Sequence, residues 1–419
     1  MRILALLFLL PSAICTHLES KIVPTNDSLK LETVNLNSYV VMLKPPRNIL
    51  DNITDTVVDE FVTSLNLKPK RKYKHGRVKG FSAVLSSRQL KSLKSNSKVA
   101  YIEPDGTLKI QAIIPSSHSR DSTTFPKRSL LTQSPAPWNL ARISHRQKGS
   151  TTYIYDSSAT GQGTCSYILD TGLFTQHADF QNRATLLKNF DTTDNSDADL
   201  SGHGTHVAAI LGGTKYGVAK QTKIYAIKVC NKSGACNLSD VIAGIALVIS
   251  DSKARSSMCA KGVTMTLSFG APVSSWRSIQ EGILAAVQAG IFVVAAAGND
   301  NIDVKGITPA SSPFVCSVGA SDINDAKASF SNYGAMIGVF APGVAIQSAW
   351  IGGVDASQSL SGTSMSAPHI AALAATIMSS KGPQNPLTLC ITIKNTAITN
   401  VLSGVPSGTP NRLVYNGVG

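Results

Sequence analysis

The sequence predicts an α/β protein in three layers, a mainly parallel β-sheet flanked by helices, preceded by a small α+β domain. Three observations point there. From about residue 131 onward, short runs rich in Val and Ile alternate with longer apolar runs of helical spacing, an order that builds a parallel sheet covered by helices. Hydrophobic residues fill 43% of the 419 positions but aromatics only 6%, so Ala, Val, Leu and Ile must form the core, as in buried helices on a parallel sheet. Residues 37–110 carry a separate set of strand and helix signals.

In chain order, residues 1–15 read as a signal peptide. Arg2 supplies the positive start, residues 3–10 the apolar run, and Ala13-Ile14-Cys15 a small-x-small cleavage site. That run is too short to cross a bilayer, and residues 283–297 are interrupted by Gln288 and Gly290, so no membrane span is expected. Next come a strand at 38–43, a helix at 51–65, a strand near 73–78, a strand at 80–85, a helix at 87–95 and a strand at 99–103. This β-α-β-β-α-β order is ferredoxin-like. Residues 111–130, rich in Ser, Thr and Pro and holding the dibasic pair Lys127-Arg128, suit an exposed linker with a processing site. The large domain fills 131–419. Its strands are expected at 165–169, 223–229, 263–268, 291–296 and 314–318, and its helices at 203–211, 239–252, 276–289 and 364–379. In such sheets the site forms beyond the carboxyl ends of the strands.

The formal charge of +14 suggests a polyanion partner until it is divided along the chain. Residues 1–130 hold 20 Lys+Arg against 10 Asp+Glu, and residues 131–419 hold 19 against 15. The large domain is therefore only mildly basic, and no nucleic-acid partner is expected. If cleavage follows Cys15, six cysteines remain: Cys165, Cys230, Cys236, Cys259, Cys316 and Cys390. An even set in an oxidising compartment favours disulfides, with fifteen connectivities open to the arithmetic alone. Asn26, Asn52, Asn231 and Asn237 stand in glycosylation sequons.

Three stretches carry chemistry. Tyr167-Ile168-Leu169-Asp170-Thr171-Gly172 is a strand ending on a carboxylate. Gly202-His203-Gly204-Thr205-His206-Val207 sets a histidine where a helix begins. Ser361-Gly362-Thr363-Ser364-Met365-Ser366-Ala367-Pro368-His369 places a serine at the mouth of a long apolar helix, with Pro368 expected in its first turn. A serine hydroxyl needs a base to take its proton, and the base needs a third group to fix its tautomer. Asp170, His203 and Ser364 supply those roles. The backbone N–H of Ser364 and the side-chain amide of Asn299, in Ala296-Ala297-Gly298-Asn299, would serve as donors to an oxyanion. His206 and His369 are expected to be structural.

At these residues the chain resembles the subtilisin-like serine proteases, and within them the proteinase K-like branch of secreted fungal endopeptidases. The likeness runs from Pro137-Trp138-Asn139-Leu140-Ala141-Arg142-Ile143 to the end. It includes Tyr216-Gly217-Val218-Ala219-Lys220, Ser329-Phe330-Ser331-Asn332-Tyr333-Gly334 and Ser348-Ala349-Trp350-Ile351-Gly352-Gly353. It implies a subtilisin-like fold, and an inhibitory prodomain at 37–110 that helps the parallel sheet fold and fills the cleft until it is cut away. Alignment at Trp138 puts the mature start near Leu131. Substrate would pair as an added strand with Ser268-Phe269-Gly270, and Ala296-Ala297-Gly298 would complete the main specificity pocket. With nothing charged in either segment, cleavage is expected after apolar or aromatic residues. Phe269 replaces the leucine usual there.

The resemblance also pairs Cys165 with Cys259 and Cys316 with Cys390, loops worth up to about 4–5 kcal/mol each. Cys230 and Cys236 have no counterpart in the family pattern, and a third, small-loop disulfide at the cleft rim is expected. The carbonyls of Pro313 and Val315 match the family's calcium site, but Gly338 stands where a carboxylate is needed. That site is expected to be weak or absent. The resulting expectation is an extracellular, monomeric endopeptidase, made as a zymogen, acting on proteins and peptides with no cofactor in its chemistry. An inactive binding protein on the same scaffold and a secreted inhibitor built from 37–110 are the alternatives. The intact set of Asp170, His203, Asn299 and Ser364 speaks against both.

Overall fold

The computed structural model describes residues 37–44, 56–75, 78–112, 130–272 and 276–418. The signal segment, Asn26, Asn52 and the Lys127-Arg128 pair lie outside them. Two folded parts follow one another within a single compact unit.

The first part has four antiparallel strands and two helices, in the chain order Ser38–Leu43, Thr56–Ser64, Pro69–His75, Val78–Val84, Ser87–Lys94 and Val99–Pro104. Within the sheet, Ser38–Leu43 lies between Val78–Val84 and Val99–Pro104, and Pro69–His75 forms one edge. The ferredoxin-like order expected from sequence is thus present. The strand expected near 73–78 instead runs Pro69–His75, where a run of basic residues hides the apolar alternation that marks a strand. Arg71 faces the second part while Lys72 and Lys74 reach Asp59 on the first helix, each at 2.5 Å. One face of the sheet closes on Val58, Phe61, Val62 and Leu93 of the helices.

The second part is built on a nine-stranded sheet. From one edge its strands are Ile398–Thr399, Arg412–Leu413, Val339–Pro342, Cys316–Ser321, Ile291–Ala296, Gly262–Leu267, Thr164–Asp170, Lys223–Lys228 and Ala184–Asn189. Every neighbouring pair is parallel except the first. Side chains alternate between faces as strand geometry demands. Ile168 and Ala226 pack with the helices His203–Gly212 and Thr363–Lys381 on one side. Tyr167, Leu169, Tyr225 and Ile227 pack with Leu238–Ala254 and Arg277–Gln288 on the other. From Thr164–Asp170 the chain passes to the edge strand Ala184–Asn189, returns to Lys223–Lys228 beside the first strand, and then crosses to Gly262–Leu267 on its other side. The winding therefore reverses, and a crevice opens, at the strand that ends on Asp170.

Two expectations need correction. The strand expected at 314–318 is Cys316–Ser321: pairing begins where Cys316 meets Val294 and continues past Val318 through Gly319, Ala320 and Ser321, which carry no β-branched signal. Pro368 is not in the first turn, because the helix starts at Thr363. Its missing N–H would have served the carbonyl of Ser364. That carbonyl instead receives the Ser268 hydroxyl at 3.4 Å. All three expected disulfides form: Cys165–Cys259, Cys230–Cys236 and Cys316–Cys390.

Candidate active site

Asp170, His203 and Ser364 converge from a strand end and two helix starts, all nearly or fully buried. His203 Nδ1 lies 2.6 Å from Asp170 Oδ1, which also accepts the Thr171 N–H at 2.7 Å. That pair fixes the imidazole so that Nε2 is the nitrogen left for exchange with a reacting group. Asp199, which the sequence reading did not single out, holds the start of the His203 helix. It accepts the N–H groups of Ser201, Gly202 and Thr205 and the hydroxyls of Thr171 and Thr205. Its position four residues before His203, at a helix entrance, is the signal that could have found it.

Asn299 stands across the cleft. Its Oδ1 accepts both the N–H and the hydroxyl of Thr363 at 2.9 Å, which orients the amide and leaves Nδ2 as the donor for an oxyanion. The second donor is the Ser364 N–H at the start of a 19-residue helix.

The cleft is filled by the chain's own segment. Residues Thr107–Ile110 form a strand between Ala235–Asn237 and Phe269–Pro272, antiparallel to both, with Phe269 opposite Ile110 and Gly270 opposite Lys109. Gln111 follows. Its N–H reaches the Ser268 carbonyl and the Ser364 hydroxyl, each at 3.0 Å, and its carbonyl receives the Ser364 N–H at 3.0 Å. The carbonyl carbon before the Gln111–Ala112 bond is therefore presented to the nucleophile. Gly362 makes this approach possible: a Cβ there would stand 2.2 Å from the Gln111 oxygen. The Ser364 hydroxyl donates to the Ser268 carbonyl at 2.8 Å, while His203 Nε2 has no partner among the described residues. Proton transfer requires the hydroxyl to turn about its Cα–Cβ bond; catalytic hydrogen bonds often tighten only as reaction begins.

The segment expected to line the specificity pocket surrounds this residue. Gly298 N–H is held by the Thr363 hydroxyl, Ala296 and Ala297 are fully buried, and Gln111 Nε2 lies 3.8 Å from where a Gly270 Cβ would be. The Gln111 amide is satisfied by the Lys109 carbonyl and the Asn299 N–H. Phe269 is fully buried in the core beneath the strand.

His206 and His369 are structural, as expected. His206 Nε2 reaches the carbonyls of Ile346 and Gln358, and burial, with His203 nearby, lowers its pKa to about 3. His369 bridges Met365 and Asn139, and burial lowers its pKa to about 4. Neither carries a charge near neutral pH.

The prodomain-like part is anchored through carboxylates at helix starts. Asp105 accepts the Ser239 N–H, and Glu103 accepts the N–H groups of Arg277 and Ser278 and the Ser278 hydroxyl. Arg71 meets the buried Asp240 at 2.9 Å and covers the Phe190 ring. Of the sequons inside the described residues, Asn231 is partly exposed, whereas the Asn237 amide donates to Asp240 at 3.0 Å.

The residues at the expected calcium site do not fit the ion. A cavity of about 210 Å³ is lined by Pro313, Phe314, Val315 and Lys394. A Cβ on Gly338 would lie 3.1 Å from Lys394 Cε, so a cationic side chain runs where an anionic ligand would stand.

Comparison with known proteins agrees with this geometry. Residues 161–417 match the Subtilase family of peptidases, and residues 38–111 match the peptidase inhibitor I9 family. A cuticle-degrading protease of Metarhizium anisopliae is 43% identical over 92% of this chain and 91% of its own. Proteinase T of Parengyodontium album is 45% identical over 69% of this chain and 95% of its own. The crystal structure of a cold-adapted subtilisin-like serine proteinase superposes with a TM-score of 0.61 at 34% identity, covering 68% of this chain and 99% of that one.

Proposed function

The chain belongs to the subtilase family and is a serine endopeptidase made as a zymogen with its own I9-type inhibitory domain; from that premise we propose that Ser364 is its nucleophile, His203 its general base and Asp170 the carboxylate that orients the base. The Ser364 oxygen attacks the carbonyl carbon of the residue before the cut, and His203 Nε2 takes its proton. The tetrahedral oxyanion is met by the Ser364 N–H and Asn299 Nδ2. His203 then returns the proton to the leaving amine, and water repeats the sequence on the acyl-enzyme. These groups supply every proton transfer, and the chemistry needs no cofactor.

The observation that carries this reading is the Gln111 carbonyl on the Ser364 N–H, with the segment before it paired on both sides as a substrate would be. It supports 37–111 as the inhibitory domain and Gln111–Ala112 as the bond first cut, leaving residues 112–130 to be trimmed afterwards toward a start near Leu131. It also supports substrate binding by Ser268, Phe269, Gly270, Ala296, Ala297 and Gly298. The uncharged pocket favours broad cleavage after apolar or aromatic residues, with the polar Gln111 a poor match for that pocket, suited to slow self-release.

The signal-like residues 1–15 and three disulfides support secretion. Among the described residues no helix is long and apolar enough to cross a membrane. The monomeric state expected above and a calcium-free Gly338 site belong to the same reading. Mass spectrometry of the maturing precursor tests it. A released fragment ending at Gln111, absent from the Ser364→Ala precursor, is expected. Cutting of the Ser364→Ala precursor at the same bond would count against it.

A further inference from the structure

Cys230 and Cys236 sit on the cleft rim. Their bond closes the turn Asn231-Lys232-Ser233-Gly234-Ala235 and brings the two half-cystines opposite each other as a bridge. The strand Ala235–Asn237 beyond it forms one whole side of the cleft. Cys236 pairs across from Leu108 and Asn237 from Thr107, while the Gly234 carbonyl accepts the Ile110 N–H at 3.0 Å. Counting back from the bond presented to Ser364, Gln111 is the first residue and Leu108 the fourth. Leu108 is fully buried, in one cluster with Cys230, Cys236, Leu238 and Val241. Gly234 has φ +77, and a Cβ there would stand 2.5 Å from Ile110, so the turn is shaped to the second residue as well.

The two ends of this rim are held by different means. Its base is tied to the catalytic strand: the fully buried Lys228 donates to the carbonyls of Thr171 and Cys230 and to Asp194, and Asp194 accepts the Lys232 N–H. The Cys230 N–H donates to the Asp170 carbonyl at 3.1 Å. The far end, a strand of only three residues at the sheet edge, is tied back by the disulfide and by two hydrogen bonds of the turn, Asn231 N–H to the Ala235 carbonyl at 2.9 Å and Ala235 N–H to Asn231 Oδ1 at 3.0 Å. An edge this short does not hold itself in register when unpaired. Among the described residues the disulfide is the one covalent cross-link between this strand and the base of the rim, and the hydrogen bonds that hold Lys228, Asp194 and Asp170 do not pass through it.

We infer that the Cys230–Cys236 disulfide is a specificity element of this protease, preorganising the rim strand so that an apolar residue four places before the cut is bound. The inference rests on the cleft being the peptide-cleaving site. Preorganisation lowers the ordering cost of binding, so its loss appears in KM for long substrates and spares short ones.

The test uses mature enzyme with Cys230→Ser and Cys236→Ser together, assayed on tetrapeptide anilides differing only in Leu or Ala at the fourth residue, and on a single-residue ester. The wild-type enzyme is expected to favour Leu by roughly 10–100-fold in kcat/KM, the range an apolar subsite of this size allows. The double variant is expected to favour it by less than about 3-fold, through KM, with ester hydrolysis within about 2-fold of wild type. If the variant does not mature, wild-type enzyme treated with a dithiol, with alkylation mapped to Cys230 and Cys236, is measured in the same way. Cys165→Ser with Cys259→Ser is the control: it should lower thermal stability and keep the Leu preference. An unchanged Leu preference without the rim disulfide overturns the inference, as does an equal fall for ester and tetrapeptides. Absence of all activity in the wild-type enzyme would instead count against the catalytic reading.

Discussion

Gly362→Ala is the substitution whose effect follows most closely from the geometry of the cleft. The Cβ it adds would lie 2.2 Å from the Gln111 carbonyl oxygen and 2.8 Å from Ala112 Cα, both on the backbone of the bound strand. The residue also has φ +152 and ψ 161, a conformation open essentially to glycine alone. No flexible side chain can yield, so the carbonyl must retreat from the Ser364 N–H by about 1 Å, enough to cost roughly 100-fold in rate. That loss corresponds to about 2.7 kcal/mol of transition-state stabilisation. The assay is conversion of the precursor followed on a gel over time, with thermal unfolding of the same sample as a check on the fold. The variant precursor should persist roughly 100 times longer than wild type while still unfolding cooperatively. Conversion at the wild-type rate would refute the placing of the Gln111 carbonyl against Ser364.

Three further outcomes are expected. Asn299→Ala should lower kcat by about 100- to 1,000-fold with little change in KM, the size typical of losing one oxyanion donor; steady-state kinetics on a peptide substrate check this. Lys220 is half-buried against Tyr153 and Tyr155, and the desolvation of its ammonium lowers its pKa to about 8 from 10.5. The unfolded chain therefore binds more protons between those values, and stability should rise with pH across pH 8–10 by up to about 1.4 kcal/mol per unit. Lys220→Met should flatten that slope in denaturant titrations at each pH. Thermal stability should be insensitive to a calcium chelator, whereas Gly338→Asp combined with Lys394→Ala should create a calcium-dependent gain; a large chelator-induced loss in the wild type would contradict the reading of Gly338.

The proposed triad was legible because each member sits in a short motif at an element boundary, where strand end and helix start are themselves readable. Cys230 and Cys236 were legible as a pair once the resemblance had assigned the other four cysteines. Other parts of the site depend on partners far away in sequence. Gln111 is an unremarkable linker residue until the strand before it is paired on both sides. Gly362 reads as a helix entrance, and only the bound strand shows what a side chain there would strike. The helix Pro386–Thr396 went unassigned although its signals were present: Asn385 caps it, Pro386 opens it, and the buried Pro386, Leu389, Cys390 and Ile393 repeat at helical spacing. The rim strand Ala235–Asn237 could not be read from three residues, since its pairing belongs to whichever chain fills the cleft.

The central claim is that Ser364 is the nucleophile, activated in a cleft that opens once residues 107–112 leave it. Labelling the processed protein with a fluorophosphonate probe, then mapping the modified peptide, tests this most directly. One label on Ser364, lost when His203 is replaced by Ala and blocked in the uncut precursor, is the predicted result. Properly processed protein that takes up no label, or takes it on another serine, would contradict the account.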